Sequence, residues 1–302
     1  MAYNFFLFYL INTKQMKVTL VITTYNWPEA LKLVLESITN QSVLPNEVVI
    51  ADDGSSQETY DLIKSFNLTS DINILHSWQE DDGFRVARSR NKAILKASGD
   101  YIILIDGDSI LHPHFIKDHI YNAESGYFVQ ASRVLFSENQ TKAVINGNFF
   151  YPFTSFFELK NRKNSIHSKF LSFIFSSKKN NIRGIKTHNM AFYKTDCENI
   201  NGFNNNFEGW GREDSEFVVR LINSGVNRKN IRFNAIQYHL WHTENSRISL
   251  EKNNEMLNEA INSQMKWCEN GIYYFPSYCL WNLALLALLL LPWLQRSRKV
   301  RF

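Results

Sequence analysis

The chain has 302 residues, 44% hydrophobic and 21% charged, which suits one large α/β domain or two smaller ones and excludes wholesale disorder. Its formal net charge of +4 is matched by Arg296, Arg298, Lys299 and Arg301 near the end, so the rest of the chain balances to zero. A nucleic-acid binder carries its basic excess on the folded body, and no nucleic-acid partner is expected here.

The first residues, MAYNFFLFYL, are apolar but lack the basic n-region and small-residue cleavage site of a secretory leader. Met16 directly precedes the first strand pattern, so residues 1–15 read as an upstream start or a loose arm. Lys17–Thr23 (KVTLVIT) is a β-branched run that predicts a buried strand. Pro28 suits the first turn of a helix carrying Leu31, Val34, Leu35 and Ile38 at helical spacing. A second strand, Glu47–Ala51, runs into Asp52-Asp53-Gly54-Ser55, and a short third is expected over Asn73–Leu75. Arg85–Ala97 reads as helix, and Tyr101–Ile105 is a fourth strand ending in Asp106-Gly107-Asp108. Apolar strands alternating with helices predict an α/β fold, a mostly parallel sheet flanked by helices. Ligands in such sheets sit at the carboxyl ends of the strands, and three of those ends carry polar clusters here.

Between Gly147 and Lys186 the character changes. Phe149, Phe150, Tyr151, Phe153, Phe156 and Phe157 crowd the start of this stretch, and Lys160, Arg162, Lys163, Lys169, Lys178, Lys179 and Arg183 fill the rest. It reads as an acceptor lid, a membrane-facing loop or an ordinary insertion with a small core of its own. The body is expected over 16–250, divided at 110 into a first half and a second half of 111–250. From Gly271 to Gln295 no residue is charged, and the chain then ends in QRSRKVRF. The apolar part is short for a span, Asn282 and Pro292 oppose one, and spanning would carry four cations across a bilayer. We therefore expect a helical, membrane-associating tail over 251–302 that lies on the inner leaflet and holds a cytoplasmic body there. A single span and a helix packed on the protein's own core are the alternatives. Three cysteines, Cys197, Cys268 and Cys279, are odd in number and without CxxC spacing. They exclude a disulfide framework and favour a reducing compartment.

No GxGxxG stands after the first strand and no GxxxxGK[ST] occurs, which disfavours dinucleotide and P-loop sites. Asp106 and Asp108 flank a glycine that allows close backbone approach, and paired carboxylates so placed suit Mg²⁺ or Mn²⁺ with a diphosphate completing the shell. Later, Gly209-Trp210-Gly211-Arg212-Glu213-Asp214-Ser215-Glu216 precedes FVVRL at helical spacing. The glycines permit a tight turn, Trp210 offers a flat apolar face to a sugar ring, and a carboxylate at the helix start could take a proton from an acceptor hydroxyl. The bland reading is a helix with ordinary N-terminal acids. His239 and His242 in HLWH share a face on a turn but oppose each other on a strand, so both reach one metal only if the chain turns there.

In this order, VITTYN, EVVIADDGS, GFRVARSRN and GDYIILIDGD resemble a family 2 glycosyltransferase of GT-A fold. NGFNNNFEGWGREDSEF, with HLWH after it, resembles the galactosyltransferase-type module of β-1,4-galactosyltransferases and chondroitin-type polymerases. The likeness covers 17–110 and 184–245, about half the chain. It implies that Thr23 and Tyr25 line a uridine pocket, that Asp53 binds the uracil edge, and that Arg85, Arg90 and Asn91 contact the nucleotide-sugar. It further implies that Asp106 faces the ribose or metal, that Asp108 and His242 ligate Mn²⁺ or Mg²⁺, and that His239 stands at the neighbouring ligand position. Gly209 and Trp210 would belong to the donor site, Asp214 would be the base, and Glu213 its partner. Arg212 departs from relatives with a small residue there. The activity that the resemblance implies is an inverting, metal-dependent transfer from a UDP-sugar to a hydroxyl of a bacterial surface glycan of lipopolysaccharide or capsule type. A sugar-1-phosphate nucleotidyltransferase and a non-catalytic glycan-binding protein are the rivals. The first wants a Gly-rich basic loop where TTYNWPE stands; the second would be free to lose the acids.

Overall fold

β-branched residues lose little in a pleated strand and pack well against its neighbours. In the computed structural model, which describes residues 16–147, 159–243 and 246–273, the first such run is the central strand β1 (Val18–Thr24). It lies between β2 (Glu47–Asp52) and β4 (Tyr101–Asp106), parallel to both, and β3 (Ile74–Trp78) pairs in parallel with β2. Every residue of β2 is buried, as a strand covered on both faces requires. Alternation along β1 divides the core. Leu20 and Ile22 pack beneath Leu31, Val34, Leu35 and Ile38 of α1 (Pro28–Thr39) and Ile63 of α2 (Gln57–Thr69). Val21 faces the other way, towards Ala87, Ala93 and Ile94 of α3 (Val86–Lys96).

The third strand outruns its expected end at Leu75. His76 and Ser77 are too polar to announce a strand, yet His76 Nε2 lies 2.8 Å from Asp52 Oδ2 and Trp78 Nε1 donates to Ser55 O at 3.1 Å. Pairing with the β2 turn replaces the apolar signal.

Beyond β4 the chain builds β5 (Ser109–Leu111), α4 (Phe115–Asn122), β6 (Tyr127–Gln130), β7 (Val134–Leu135), α5 (Glu138–Ile145), α6 (Lys169–Phe175) and β8 (Ser177–Lys178). Then come β9 (Asn189–Tyr193), α7 (Lys194–Asn199), α8 (Glu213–Asn223), β10 (Asn227–Asn230), β11 (Gln237–His239) and α9 (Leu250–Asn262). The main sheet has the order β3-β2-β1-β4-β9-β6-β10-β8, with β9 antiparallel to both β4 and β6. It is mostly parallel. A second sheet, β5-β11-β7, sets His239 opposite Ser109 and so beside Asp108.

α9 lies on α8, with Leu257 and Ala260 against Val219. Asn253 of α9 is fully buried and donates to the carbonyls of Glu208 and Gly211 at 3.1 and 2.9 Å. Cys268 and Ile272 are buried as well, and Ile272 N donates to Asn201 O. Residues 250–273 thus brace the loop that opens α8. The arm 1–15, the aromatic stretch Phe149–Phe157 and the tail from 274 onward lie outside the described residues. Among the described residues no helix is long and apolar enough to cross a membrane.

Candidate active site

β4 ends in a passage too narrow for a side chain. A Cβ on Gly107 would stand 2.8 Å from Thr23 O, and Gly107 N donates to that same oxygen at 2.7 Å. The glycine fixes the carboxylates on either side of it. Asp108 is met by His239 Nε2, 3.4 Å from Oδ1, and by His242 Nε2, 3.4 Å from Oδ2. One ligand atom from each of the three residues falls within 4.8 Å of the others. This convergence is possible because the strand ends at His239. Leu240 N donates to Asp108 O at 2.9 Å, and the chain turns to bring His242 back. His242 Nδ1 lies 2.7 Å from Thr243 O, an outer contact that leaves the Nε2 lone pair facing Asp108.

Burial pushes the Asp108 carboxyl up to about 8, with the charge of Asp106 adding to it. Burial and then Arg133 hold His239 down to about 4, so its ring is neutral and its lone pair available. A carboxyl that can release its proton to solvent as a cation takes its place, beside two oriented imidazoles, suits a divalent ion such as Mn²⁺. Asp106 differs. It accepts a hydrogen bond from Thr23 Oγ1 at 3.3 Å and lies 3.8 Å from Arg90 Nη2. Burial works to raise it, but Arg90, His188, His239 and Arg133 together hold it below the ordinary value. It is not one of the three clustered ligands.

Arg90 is buried and joins the two motifs. Its other nitrogen, Nη1, donates to Glu213 Oε1 at 3.1 Å, and its guanidinium lies 5.5 Å from the Phe203 ring centre. Glu213 opens α8, and Asp214 comes next, half-buried, accepting from Ser215 N at 2.6 Å and Ser215 Oγ at 3.1 Å. Burial, then repulsion from Glu213, pushes Asp214 up to about 7, where a carboxylate can take a proton and return it near neutral pH. Arg212, the residue before the helix, has φ +80°, a left-handed conformation in which a small residue is the easier choice.

The remaining expected residues divide into two groups. Tyr25 is exposed at the rim, its hydroxyl donating to Asp81 Oδ2 at 3.0 Å. Asp53 is buried, takes bonds from Gln79 Nε2 at 2.5 Å and Arg85 N at 2.8 Å, and is pushed up by burial. The Arg85 guanidinium reaches Glu208 at 2.6 Å and Asp82 at 3.1 Å. Gly209 has φ +71° and passes so near Ser249 that a Cβ would lie 2.3 Å from its hydroxyl. Trp210 stands between Lys186 and Arg247, 5.9 and 5.6 Å from its ring centre. Asn91 needs correcting. Its Nδ2 donates to Phe203 O and Asn205 Oδ1, and its Oδ1 accepts from Phe203 N, so the buried amide braces a loop and has nothing left for a nucleotide.

Three neighbours give little or no sign in the sequence. His188, just before β9, and Arg133, just before β7, stand beside Asp106, and Gln237 of β11 backs His188; His188 is held down to about 3 by burial and then Arg133, and its Nδ1 lies 3.0 Å from Gln237 Nε2. The polar triplet Thr187-His188-Asn189 opening an apolar strand is the available signal. Arg133 and Gln237 give none.

The glycosyl transferase family 2 model matches residues 19–194, and one described as the N-terminal domain of galactosyltransferase matches 170–243. Chondroitin synthase of Escherichia coli is 25% identical over 244 residues, 73% of this chain; the chain spans about a third, 34%, of that relative's length. Residues 1–349 of S. aureus TarS in complex with UDP-GlcNAc superpose with TM-score 0.56 at 15% identity, over 82% of this chain and 66% of that one. The mannosyltransferase PcManGT of Pyrobaculum calidifontis, in complex with GDP-Man and Mn²⁺, gives 0.52 at 17% identity over 75% and 57%. At these identities the two structures are likenesses of fold.

Proposed function

The chain belongs to glycosyl transferase family 2, and from that premise we propose that it is an inverting, metal-dependent hexosyl- or N-acetylhexosaminyltransferase using a UDP-sugar. The observation that carries this reading is the meeting of Asp108, His239 and His242 at the end of β4, with Asp106 and Glu213 tied together through Arg90. Asp108, His239 and His242 would hold Mn²⁺ or Mg²⁺, which when bound supplies positive charge to the departing diphosphate. Thr23, Tyr25 and Asp53 receive the uridine, and Trp210 covers the sugar. Arg90 fixes the Glu213 carboxylate in place, so that Glu213 holds a sugar hydroxyl. Asp214 takes the proton from the acceptor hydroxyl as that oxygen attacks the anomeric carbon from the face opposite the diphosphate. One displacement inverts the centre, giving a β-linkage from an α-linked donor.

The acceptor is proposed to be a hydroxyl of a bacterial surface glycan, a reading supported by the likeness to a chondroitin synthase. The uncharged stretch before Gln295 and the cations after it support a cytoplasmic enzyme held at the inner membrane by its tail, 251–302 being read as that tail with its first part against the body 16–250. The test is a panel of UDP-sugars incubated with the full chain, with and without Mn²⁺. Slow metal-dependent release of UDP from one donor is the expected result, accelerated by a glycan acceptor. UDP-sugar formed from a sugar-1-phosphate and UTP would instead favour the nucleotidyltransferase, and no turnover with intact glycan binding would favour the non-catalytic protein.

A further inference from the structure

α6 is inverted. A helix on a soluble body turns its apolar side inward, but in KFLSFIF the buried position is Ser172, whose hydroxyl meets that of Ser176 at 3.2 Å. Phe170 is 71% exposed, Phe173 87%, Ile174 51% and Phe175 52%. Tyr121, 71% exposed, continues the patch, with Lys169 Nζ 5.9 Å from its ring centre. Together these side chains offer on the order of 500 Å² of apolar surface, at the upper end for a soluble monomer.

The surroundings of the patch have one sign. From Leu159 to Lys186 the sequence holds eight Lys and Arg residues and no acid. Arg232 continues this cationic ground. Its backbone N–H donates to Ser176 Oγ, and its guanidinium lies 5.8 Å from the ring of Phe233, which itself touches Phe175 at 5.6 Å. Beside it opens a polar cavity of about 670 Å³, between Lys163 and Arg232, whose described lining contains no carboxylate. Two acids lie close by and both are engaged: Glu124 with Lys178 and Lys229, and buried Asp118 with His167.

We propose that this face docks on an anionic lipid surface, with Phe170, Phe173 and Ile174 entering the acyl boundary and the surrounding cations meeting the headgroup phosphates. Aromatic and branched side chains on a short exposed helix gain by leaving water, and Lys stems reach back to the headgroup level. A protein partner would need matched acids or a shaped groove. The eight cations of 159–186, with no acid among them, are complementary to a plane of anions. The site rests on this face alone, not on the tail, and it stands apart from the transfer reaction.

The experiment is sedimentation of the full chain with phosphatidylcholine vesicles, plain or with about a third phosphatidylglycerol. The variants are Phe170→Ser with Phe173→Ser, and Lys163→Glu with Lys179→Glu, each checked by thermal melting and by UDP-sugar hydrolysis. The parent is expected to bind the anionic vesicles, and the paired phenylalanine change to weaken partition by about tenfold or more at unchanged melting temperature. The charge pair should weaken it similarly and reduce its sensitivity to salt. Equal binding by parent and phenylalanine variant would assign attachment to the tail and overturn the proposal. So would a melting temperature lowered by the serines, which would mean that another part of the chain covers the face, or a parental dimer that the serines dissociate. Hydrolysis in the same samples reports separately on the transferase reading.

Discussion

Asp214 carries the sharpest claim about a single residue. Asp214→Asn preserves size and the bonds from Ser215 but cannot take a proton, and general-base catalysis is worth ~10²–10⁴ in rate. Transfer should fall by about that factor while UDP affinity, measured by calorimetry, stays near parental. A variant that transfers at full rate would reduce Asp214 to a helix-terminal acid, and one that loses UDP would move it into the donor site. For the parent, the value of about 7 predicts that transfer rises as pH passes through neutrality, since only the ionised form accepts the proton. Asp108→Ala addresses the cation. With His239 and His242 left without their carboxylate, Mn²⁺-dependent UDP binding should weaken by more than ~100-fold, and equal affinity in calorimetry would rule the assignment out. These residues are legible in the sequence because chemistry dictates their types and spacing, an acid pair across a glycine and two imidazoles three apart. Asn91 misleads for the opposite reason. An amide in a helix looks the same whether it faces a ligand or a loop 112 residues away.

Within α8 one pair is structural. Arg220 is fully buried, donates to both carboxylate oxygens of Glu216 at 2.7 and 2.8 Å, and also caps the carbonyls of Ile200 and Gly202 at 2.6 and 2.7 Å. Arg220→Met would leave Glu216 charged in the core and those carbonyls unanswered, a loss of about 3–5 kcal/mol. Adding Glu216→Gln should recover part of it in urea unfolding; no recovery would show that the carbonyl contacts dominate. The spacing of Glu216 and Arg220 is visible in the sequence, but their burial is not, because a pair four apart is usually a solvated one. Elements obey the same rule. β1, β2, β4 and α1 are readable, since each carries its periodicity in its own residues. β9 and β11 are not, because antiparallel insertion beside β4 and a three-residue strand opposite β5 depend on partners far along the chain. The bracing of the Gly209–Gly211 turn by Asn253 is of that kind too.

At the scale of the molecule, burial of ionisable groups makes the metal-free protein's stability depend on pH from two sides. His112, His119 and His239 are held down to about 4 and His188 to about 3, in each case chiefly by burial. The unfolded chain takes up those protons first, so stability is lost as pH falls below about 6.5 towards 4. Asp108 at about 8 and Asp214 at about 7 act oppositely. Their folded forms keep protons that the unfolded chain releases near 4, so stability declines as pH rises from there, until it levels off above about 8. Asp53, raised by burial, adds to the same side. Between 4 and 6.5 the four histidines outweigh the two acids, and above 6.5 the acids stand alone. The predicted curve therefore peaks near pH 6.5 and falls on its alkaline side by on the order of 1–2 kcal/mol per pH unit. Mn²⁺ should lift that alkaline limb and leave the acid one where it is, because the cation binds the deprotonated Asp108 and competes there with the proton. Urea midpoints measured across pH 5–8.5, with chelator and with Mn²⁺, read both limbs. Asp108→Asn should flatten the alkaline fall and abolish its response to Mn²⁺. An alkaline limb that persists unchanged in Asp108→Asn would mean that burying the Asp108 charge at the end of β4, with Asp106 beside it, is not what destabilises the metal-free protein.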